Sequence, residues 1–170
     1  MPISPIFLVG MPAVGKSTLG KQAAQKYQLE FIDLDEYIEN NQGRSVRKIF
    51  EESGELYFRQ VEAECLAIVA KMQDVLVATG GGTPCFHNSM KLMLQKGQVI
   101  FLDFPLEALV ERITNNSPLR PIFVGKKKFE VAKQIEELYK KRLPHYLLAH
   151  YVVKDEKQFW ESMVSVLHQN

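Results

Sequence analysis

The chain has 170 residues, of which 46% are hydrophobic and 24% are charged, as is ordinary for one soluble domain that buries a core. Its 21 Lys and Arg residues nearly balance its 20 Asp and Glu residues, so the net charge is +1. This balance gives no overall electrostatic basis for binding nucleic acid or a membrane surface, and we expect neither as a partner.

The cysteines and the apolar runs favour a cytoplasmic protein. Cys65 and Cys85 have no metal-type spacing and are too few for a disulfide framework, so we expect two packed thiols in a reducing compartment. The short apolar run near the N-terminus has no basic segment before it, and no window approaches the length of a membrane span.

Short apolar runs alternate along the chain with longer segments of helical period. The longer runs are apolar on both faces, which is typical of a parallel sheet covered on both sides. The predicted strands are 6–10, 31–33, 75–79, 99–104 and 151–154. The predicted helices are 16–27, 35–42, 45–72 with an interruption at Ser53 and Gly54, 87–96, 105–115, 128–148 and 156–168. The alternation predicts an α/β sandwich with right-handed crossovers, formed by one domain over residues 1–170.

The first predicted strand leads into GMPAVGKST (10–18), which matches the phosphate-binding pattern G-x-x-x-x-G-K-[ST] and precedes a predicted helix. Backbone N–H groups at such a helix start line an anion-binding concavity, and the helix dipole adds to the attraction. Lys16 is placed to reach the β- and γ-phosphates, and the Ser17 hydroxyl can be a Mg²⁺ ligand. We therefore predict a nucleotide site formed by Gly10, Met11, Pro12, Ala13, Val14, Gly15, Lys16, Ser17 and Thr18.

Two aspartates, Asp33 and Asp35, follow at the carboxyl end of the second predicted strand, the edge where open α/β sheets bind ligands. If the strand continues through both, their side chains share one face and both point into the cleft. One carboxylate would then hold the water shell of a metal ion while the other accepts a proton or a hydrogen bond from an acceptor hydroxyl. The alternative is that Asp35 caps the helix that follows, and the residues alone leave both open.

The run TGGG (79–82) ends the third predicted strand at the same edge. Glycine permits positive φ and has no Cβ, so three in succession indicate that something comes close to this backbone. Taken alone, the run favours a loose turn. The polar and basic stretch 115–128, with two prolines, is the candidate for a mobile loop.

Together with FRQVE (58–62), LRPIF (119–123) and KRLPHY (141–146), these motifs resemble, in the same order, those of the shikimate kinase family. The resemblance implies a nucleoside-monophosphate-kinase-like fold, a three-layer α/β/α sandwich with a five-stranded parallel sheet in the order 2-3-1-4-5. It also implies that the γ-phosphoryl of ATP is transferred, with Mg²⁺, to the 3-hydroxyl of shikimate on the path to aromatic amino acids.

The resemblance assigns residues to the nucleotide side of the site. The phosphate loop would bind ATP, with Lys16 as a catalytic cation, and Ser17 and Asp33 would hold Mg²⁺. Arg112 would lie against the adenine. Arg120, within the stretch 115–128, resembles a catalytic lid arginine that closes over the phosphates and stabilises the transferring group.

The same resemblance assigns the substrate side. Asp35 would bind the shikimate hydroxyls and take the proton. Arg59 and Arg142 would grip the substrate carboxylate, which suits the planar guanidinium fork, and Glu62 would hold Arg59 in place from one helical turn away. Without the other motifs, a solvated helix face would be the simpler interpretation of both arginines. The glycines that would lie against bound shikimate are Gly80, Gly81 and Gly82.

Ala13 departs from the family pattern, because a further glycine usually stands there. We expect a working loop unless this position needs a positive φ. A gluconate-type sugar-acid kinase and a nucleotide-dependent binding switch would also carry a phosphate loop. The aspartate pair, the three glycines and LRP favour shikimate kinase, and we expect a monomer.

Overall fold

The strands form a single parallel sheet. The computed structural model describes residues 2–115 and 127–168. The sheet order is β2-β3-β1-β4-β5, as predicted, and every neighbouring pair is parallel. The strands are β1 Ile6–Gly10, β2 Glu30–Asp33, β3 Val75–Ala78, β4 Gln98–Leu102 and β5 Tyr151–Val153.

The helices cover both faces of this sheet. All residues of β1 and β3 are buried, as expected for central strands of a covered parallel sheet. Helix α1 packs on β1, β2 and β3, whereas α4 and α7 pack on β4. The helices are α1 Lys16–Tyr27, α2 Leu34–Gln42, α3 Val46–Val69, α4 Ser89–Lys96, α5 Leu106–Asn115, α6 Lys128–Tyr146 and α7 Glu156–His168, with a 3₁₀ turn at Thr83–Cys85. The predicted three-layer α/β/α fold is confirmed.

Helix α3 is kinked where the sequence predicts an interruption. Gly54 has φ 79° and ψ 173°, a backbone conformation that is essentially open only to glycine. The segment after the kink carries Phe58, Arg59 and Glu62, all of which are buried. The kink therefore sets the direction of the half of α3 that carries these three residues.

Both cysteines are free thiols, as expected. Cys65 is buried and Cys85 is half-buried. Burial raises the pKa of both thiols, and in Cys85 this rise is opposed by the positive charges of Arg142 and Arg59. In the described ranges 2–115 and 127–168, none of the helices combines the length and the apolar character needed to cross a membrane.

Candidate active site

The carboxyl ends of the central strands meet at one edge of the sheet and open into a cleft of about 580 Å³. The phosphate loop follows β1, Asp33 ends β2 with Asp35 two residues further on, and the three glycines follow β3. The loop from Ala13 to Thr18 lines the cleft together with Asp33, Asp35 and Arg112. The topology therefore brings the second half of the predicted phosphate loop, Arg112 and both aspartates to one cavity.

The glycines of the phosphate loop are required by backbone conformation and by space. Gly10 has φ 144° and Gly15 has φ 107°, values that residues with a side chain rarely adopt. A Cβ at Gly10 would also lie 2.7 Å from the carbonyl oxygen of Leu102. Gly15 immediately precedes α1, so the first N–H groups of the helix face the cleft without a side chain over them.

The Lys16 ammonium lies over its own loop. Its Nζ donates to the carbonyl oxygens of Gly10 at 2.8 Å and Met11 at 2.9 Å, and the residue is only 6% exposed. These bonds hold the positive charge beside the loop's N–H groups, where a phosphate would bind. Lys16 is thus positioned by the loop itself.

Ala13 adopts the left-handed conformation, with φ 64°. Position 13 therefore needs a positive φ. This is the one condition under which alanine was not expected to give a working loop. This conformation costs an L-residue roughly 1–2 kcal/mol. Arg112 offsets some of the cost, because its Nη1 donates to the carbonyl oxygens of Ala13 and Val14, both at 3.1 Å. Arg112 therefore lies on the phosphate loop, at the side of the same cleft.

Ala13→Gly is expected to stabilise the protein by up to about 1 kcal/mol, because it removes the left-handed cost and adds only the roughly 0.5–1 kcal/mol of glycine entropy. Urea unfolding followed by circular dichroism measures this difference. The matched control is Ala108→Gly within α5, which should cost about 1 kcal/mol. Equal losses for both variants would contradict a strained Ala13.

The second strand ends at residue 33, as predicted, so the condition that it continues through Asp35 is not met, and Asp35 does not cap the helix. Strand β2 ends at Asp33, whose extended backbone makes it the N-cap of α2. Its Oδ1 accepts hydrogen bonds from the N–H of Asp35 at 3.0 Å and of Glu36 at 3.4 Å. An N-cap residue typically has an extended backbone, so the residue at the strand's end suits the role. Both carboxylates still line the cleft.

Ser17 and Asp33, the residues predicted to hold magnesium, are in direct contact. The Ser17 hydroxyl donates to Oδ2 of Asp33 at 2.6 Å. Within residues 2–115 and 127–168, no group of three or more His, Cys, Asp or Glu side chains is suited to hold a metal ion. A hydroxyl and one carboxylate beside a phosphate site fit Mg²⁺, which keeps several waters and binds through few protein oxygens.

The three glycines after β3 are required by close approach, since the positive φ values of described glycines are at other positions. A Cβ at Gly82 would lie 2.6 Å from Nη2 of Arg59, and one at Gly81 would lie 2.9 Å from Nη1 of Arg142. At Gly80 it would lie 3.0 Å from Oγ1 of Thr83, and Oδ1 of Asp35 is in ordinary van der Waals range at 3.4 Å. The run therefore lets both predicted substrate arginines approach the same turn, with the aspartate beside it.

The two arginines differ in how their charges are satisfied. Arg59 donates through Nη1 to Glu62 at 2.7 Å and through Nε to Glu55 at 3.3 Å, so Glu62 holds it as predicted. The Nη1 of Arg142 is buried and has no hydrogen-bond partner among the residues that the structure describes. A buried charged donor without a partner is costly, which favours an anion at this position.

The structure adds functional residues that the sequence reasoning missed. Thr83 donates to Glu62, Phe86 stacks on Arg59, and the hydroxyl of the fully buried Tyr146 donates to the carbonyl oxygen of Gly81 at 2.5 Å. Tyr146 closes the KRLPHY motif, so a signal for it was present. Thr83 and Phe86 lie in no motif.

Another buried charged residue lies after the fourth strand. Asp103 follows β4, is 9% exposed, and accepts hydrogen bonds from Tyr139 of α6 and Lys154 after β5. Burial, followed by the bond to Asp103, raises the pKa of Tyr139 to about 12. Tyr139 therefore stays a neutral donor at physiological pH and ties α6 to the sheet. The predicted lid residue Arg120 lies outside the described residues.

Known proteins resemble this chain in sequence and in fold. A family model described as shikimate kinase matches residues 12–169. A shikimate kinase from Parabacteroides distasonis is 40% identical over 159 residues, which cover 94% of this chain and 92% of the relative. The chain belongs to the shikimate kinase family.

Solved shikimate kinases have the same fold. The crystal structure of shikimate kinase from Bacteroides thetaiotaomicron superposes with a TM-score of 0.89 at 37% identity, covering 99% of this chain and 98% of that one. Shikimate kinase from Acinetobacter baumannii, solved in complex with shikimate, gives a TM-score of 0.85 at 29% identity and covers 98% and 92%. The family, the fold and the enzyme class predicted from the sequence are confirmed: the chain is an ATP-dependent kinase.

Proposed function

We propose that this chain transfers the γ-phosphoryl group of ATP to the 3-hydroxyl of shikimate, giving shikimate 3-phosphate and ADP. The observation that carries the proposal is the approach of Arg59 and Arg142 to one glycine turn beside Asp35 and the phosphate-loop cleft. Two guanidinium groups at one turn suit a carboxylate, and the aspartate suits a hydroxyl. A small hydroxylated acid that binds next to a nucleotide carries both a carboxylate and a hydroxyl.

On the nucleotide side, the loop 10–18 would bind the phosphates through its N–H groups and the start of α1. Lys16 would exchange its two carbonyl partners for phosphate oxygens and stabilise charge as the γ-phosphoryl moves. Arg112 would hold the loop's shape through its bonds to two loop carbonyls. Its predicted contact with the adenine stays a prediction.

On the substrate side, the 3-hydroxyl oxygen would attack the γ-phosphorus in line, while the bond to the β–γ bridging oxygen breaks. Asp35 would orient this hydroxyl and accept its proton. Phosphoryl transfer has a loose transition state, so placing the hydroxyl matters more than the basicity of the aspartate. Arg59 and Arg142 would fix the ring by its carboxylate and so present the hydroxyl to the phosphate.

The nucleotide is proposed to bind with Mg²⁺ held by Ser17 and, through water, by Asp33. The ion neutralises charge on the β- and γ-phosphate oxygens. Asp33→Asn is expected to raise the Mg²⁺ concentration needed for half-maximal rate by about tenfold, because a neutral amide replaces a charged oxygen. The measurement is rate against Mg²⁺ at saturating ATP and shikimate.

Because Asp33 also caps α2, the loss of the cap must be separated from the loss of the charge. Asparagine is an equally good N-cap, so the substitution retains the helix start. Thermal unfolding of the variant should match that of the parent chain. An unchanged Mg²⁺ requirement in a folded variant would remove Asp33 from the metal site.

That the stretch 115–128 is a lid stays a prediction from the sequence, because residues 116–126 lie outside the described part. The one-domain organisation also stays a prediction. Its amides are expected to exchange slowly only when ATP and shikimate are both bound, as hydrogen exchange would show. Arg120→Ala should lower kcat far more than shikimate affinity, whereas Arg47→Ala, at an exposed position of α3, should change neither. Equal exchange in both states would indicate a simple surface loop.

The acceptor is tested by ADP release in a coupled assay with shikimate, gluconate and nucleoside monophosphates offered in parallel. We expect turnover with shikimate and little with the others. Turnover with gluconate would favour the sugar-acid kinase alternative, and tight nucleotide binding without acceptor-dependent turnover would favour a binding switch. The monomeric, cytoplasmic state, without nucleic-acid or membrane partners, stays a prediction.

A further inference from the structure

The turn that follows the three glycines contacts Arg59 by two separate routes. The first route is a hydrogen-bond chain through Glu62. The hydroxyl of Thr83, which is fully buried, donates to Oε1 of Glu62 at 2.6 Å. The other oxygen of the same carboxylate, Oε2, accepts from Nη1 of Arg59 at 2.7 Å. With a donor on each oxygen, the carboxylate cannot rotate without breaking a buried bond.

The second route is an aromatic stack. The ring centroid of Phe86 lies 4.3 Å from Cζ of Arg59, within the range of a favourable cation–π contact. The ring of Phe58 lies 5.1 Å from the same atom. Phe86 is 37% exposed whereas Arg59 is 9% exposed, so the ring stands between the guanidinium and solvent.

These contacts leave one edge of the guanidinium directed at the glycine turn. Nε and Nη1 are bonded to Glu55 and Glu62. Nη2 is the atom nearest to where a Cβ of Gly82 would stand, at 2.6 Å. The fork therefore has a fixed plane and a fixed direction before any ligand arrives.

We propose that Thr83 and Phe86 are positioning residues for recognition of the substrate carboxylate. Thr83 acts through Glu62, and Phe86 acts directly on the Arg59 plane. Together they hold the fork in the orientation that a carboxylate needs, so that little ordering remains when substrate binds. This inference rests on the proposed role of Arg59 in gripping that carboxylate.

The test compares shikimate with its neutral carboxamide. Thr83→Val keeps the shape and removes the donor, and Phe86→Leu keeps an apolar side chain and removes the ring face. Each is expected to raise the shikimate KM about tenfold, with kcat and the ATP KM changed by less than about twofold. Calorimetric affinity for the carboxamide should change by less than about twofold, because the recognised charge is absent. Thr83→Ser, which keeps the hydroxyl, should have a shikimate KM near that of the parent chain.

Matched controls separate positioning from general packing. Ser162→Ala removes a buried hydroxyl that donates to the Phe159 carbonyl in α7, and Phe129→Leu removes an exposed ring on α6. Neither should change the shikimate KM. If Thr83→Val fails to fold, as thermal unfolding will show, Phe86→Leu decides the role of the aromatic ring, and Thr83→Ala, measured with both ligands, decides the role of the hydroxyl.

Arg59→Lys, measured in the same way, separates the proposed role of Arg59 from the proposed positioning role of Thr83 and Phe86. If it leaves shikimate affinity unchanged, the proposed role of Arg59 is wrong and the positioning role falls with it. If it weakens shikimate selectively while Phe86→Leu and Thr83→Val do not, only the positioning role is overturned. Equal losses with shikimate and with the carboxamide in these variants would also overturn it.

Discussion

Lys16→Met is expected to lower kcat by about 10²–10³-fold, the usual cost of removing one donor that stabilises transition-state charge. Lys16 is held over the phosphate loop by two carbonyl oxygens, so its charge stands where the β- and γ-phosphates would bind. The residue is buried, and the loss of these two bonds should also cost about 1–3 kcal/mol of stability.

The chain offers a matched control in the same helix. Lys21→Met, at an exposed position of α1, should leave kcat nearly unchanged. Steady-state kinetics of both variants, with thermal unfolding to verify the fold, make the comparison. Near-normal turnover of folded Lys16→Met would remove the phosphate-loop assignment.

Loss of either Arg59 or Arg142 is expected to cost roughly 1.5–3 kcal/mol of shikimate binding, the range for hydrogen bonds to charged groups. The two losses should not add, because both groups act on one carboxylate. Arg142 is the cleaner site, since its Nη1 has no partner within the described ranges, whereas removal of Arg59 also leaves the buried Glu62 carboxylate without its cationic partner.

A ligand without the carboxylate charge shows how much of each loss depends on that charge. The neutral carboxamide of shikimate should bind the parent chain weakly and should lose much less on going to either variant or to the double variant. ATP affinity without shikimate should stay the same throughout. Additive losses with shikimate, or equal losses with the carboxamide, would show that the arginines serve the fold or the nucleotide.

The parts of the fold predicted best from sequence are those encoded locally. Strand β1, the glycine-rich loop and α1 are adjacent in the chain, and their apolar period, Gly10, Gly15 and Lys16 specify them without tertiary information. The kink at Gly54 was predicted for the same reason. The end of β2 at Asp33 was predicted, whereas the capping residue of α2 was not, because an aspartate at either position suits a helix cap and only the cap geometry assigns that role to Asp33.

The parts of the site that were missed depend on contacts between distant segments. Thr83 and Glu62 are separated by 21 residues, and Phe86 meets Arg59 only because the glycine turn brings α3 against it. The explanation of the three glycines from the sequence was also incomplete, because it did not include the arginines packed against them. Such pairings leave no periodic signal in the sequence.

The central claim is tested most directly by identifying the product of a reaction with ATP, Mg²⁺ and shikimate. Phosphorus NMR with proton correlation assigns the phosphorylated carbon. We expect one molecule of ADP for each molecule of a single monophosphate, with the phosphorus coupled to the proton on C3 of the ring. Phosphate on another hydroxyl, or ADP release without a phosphorylated shikimate, would contradict the account.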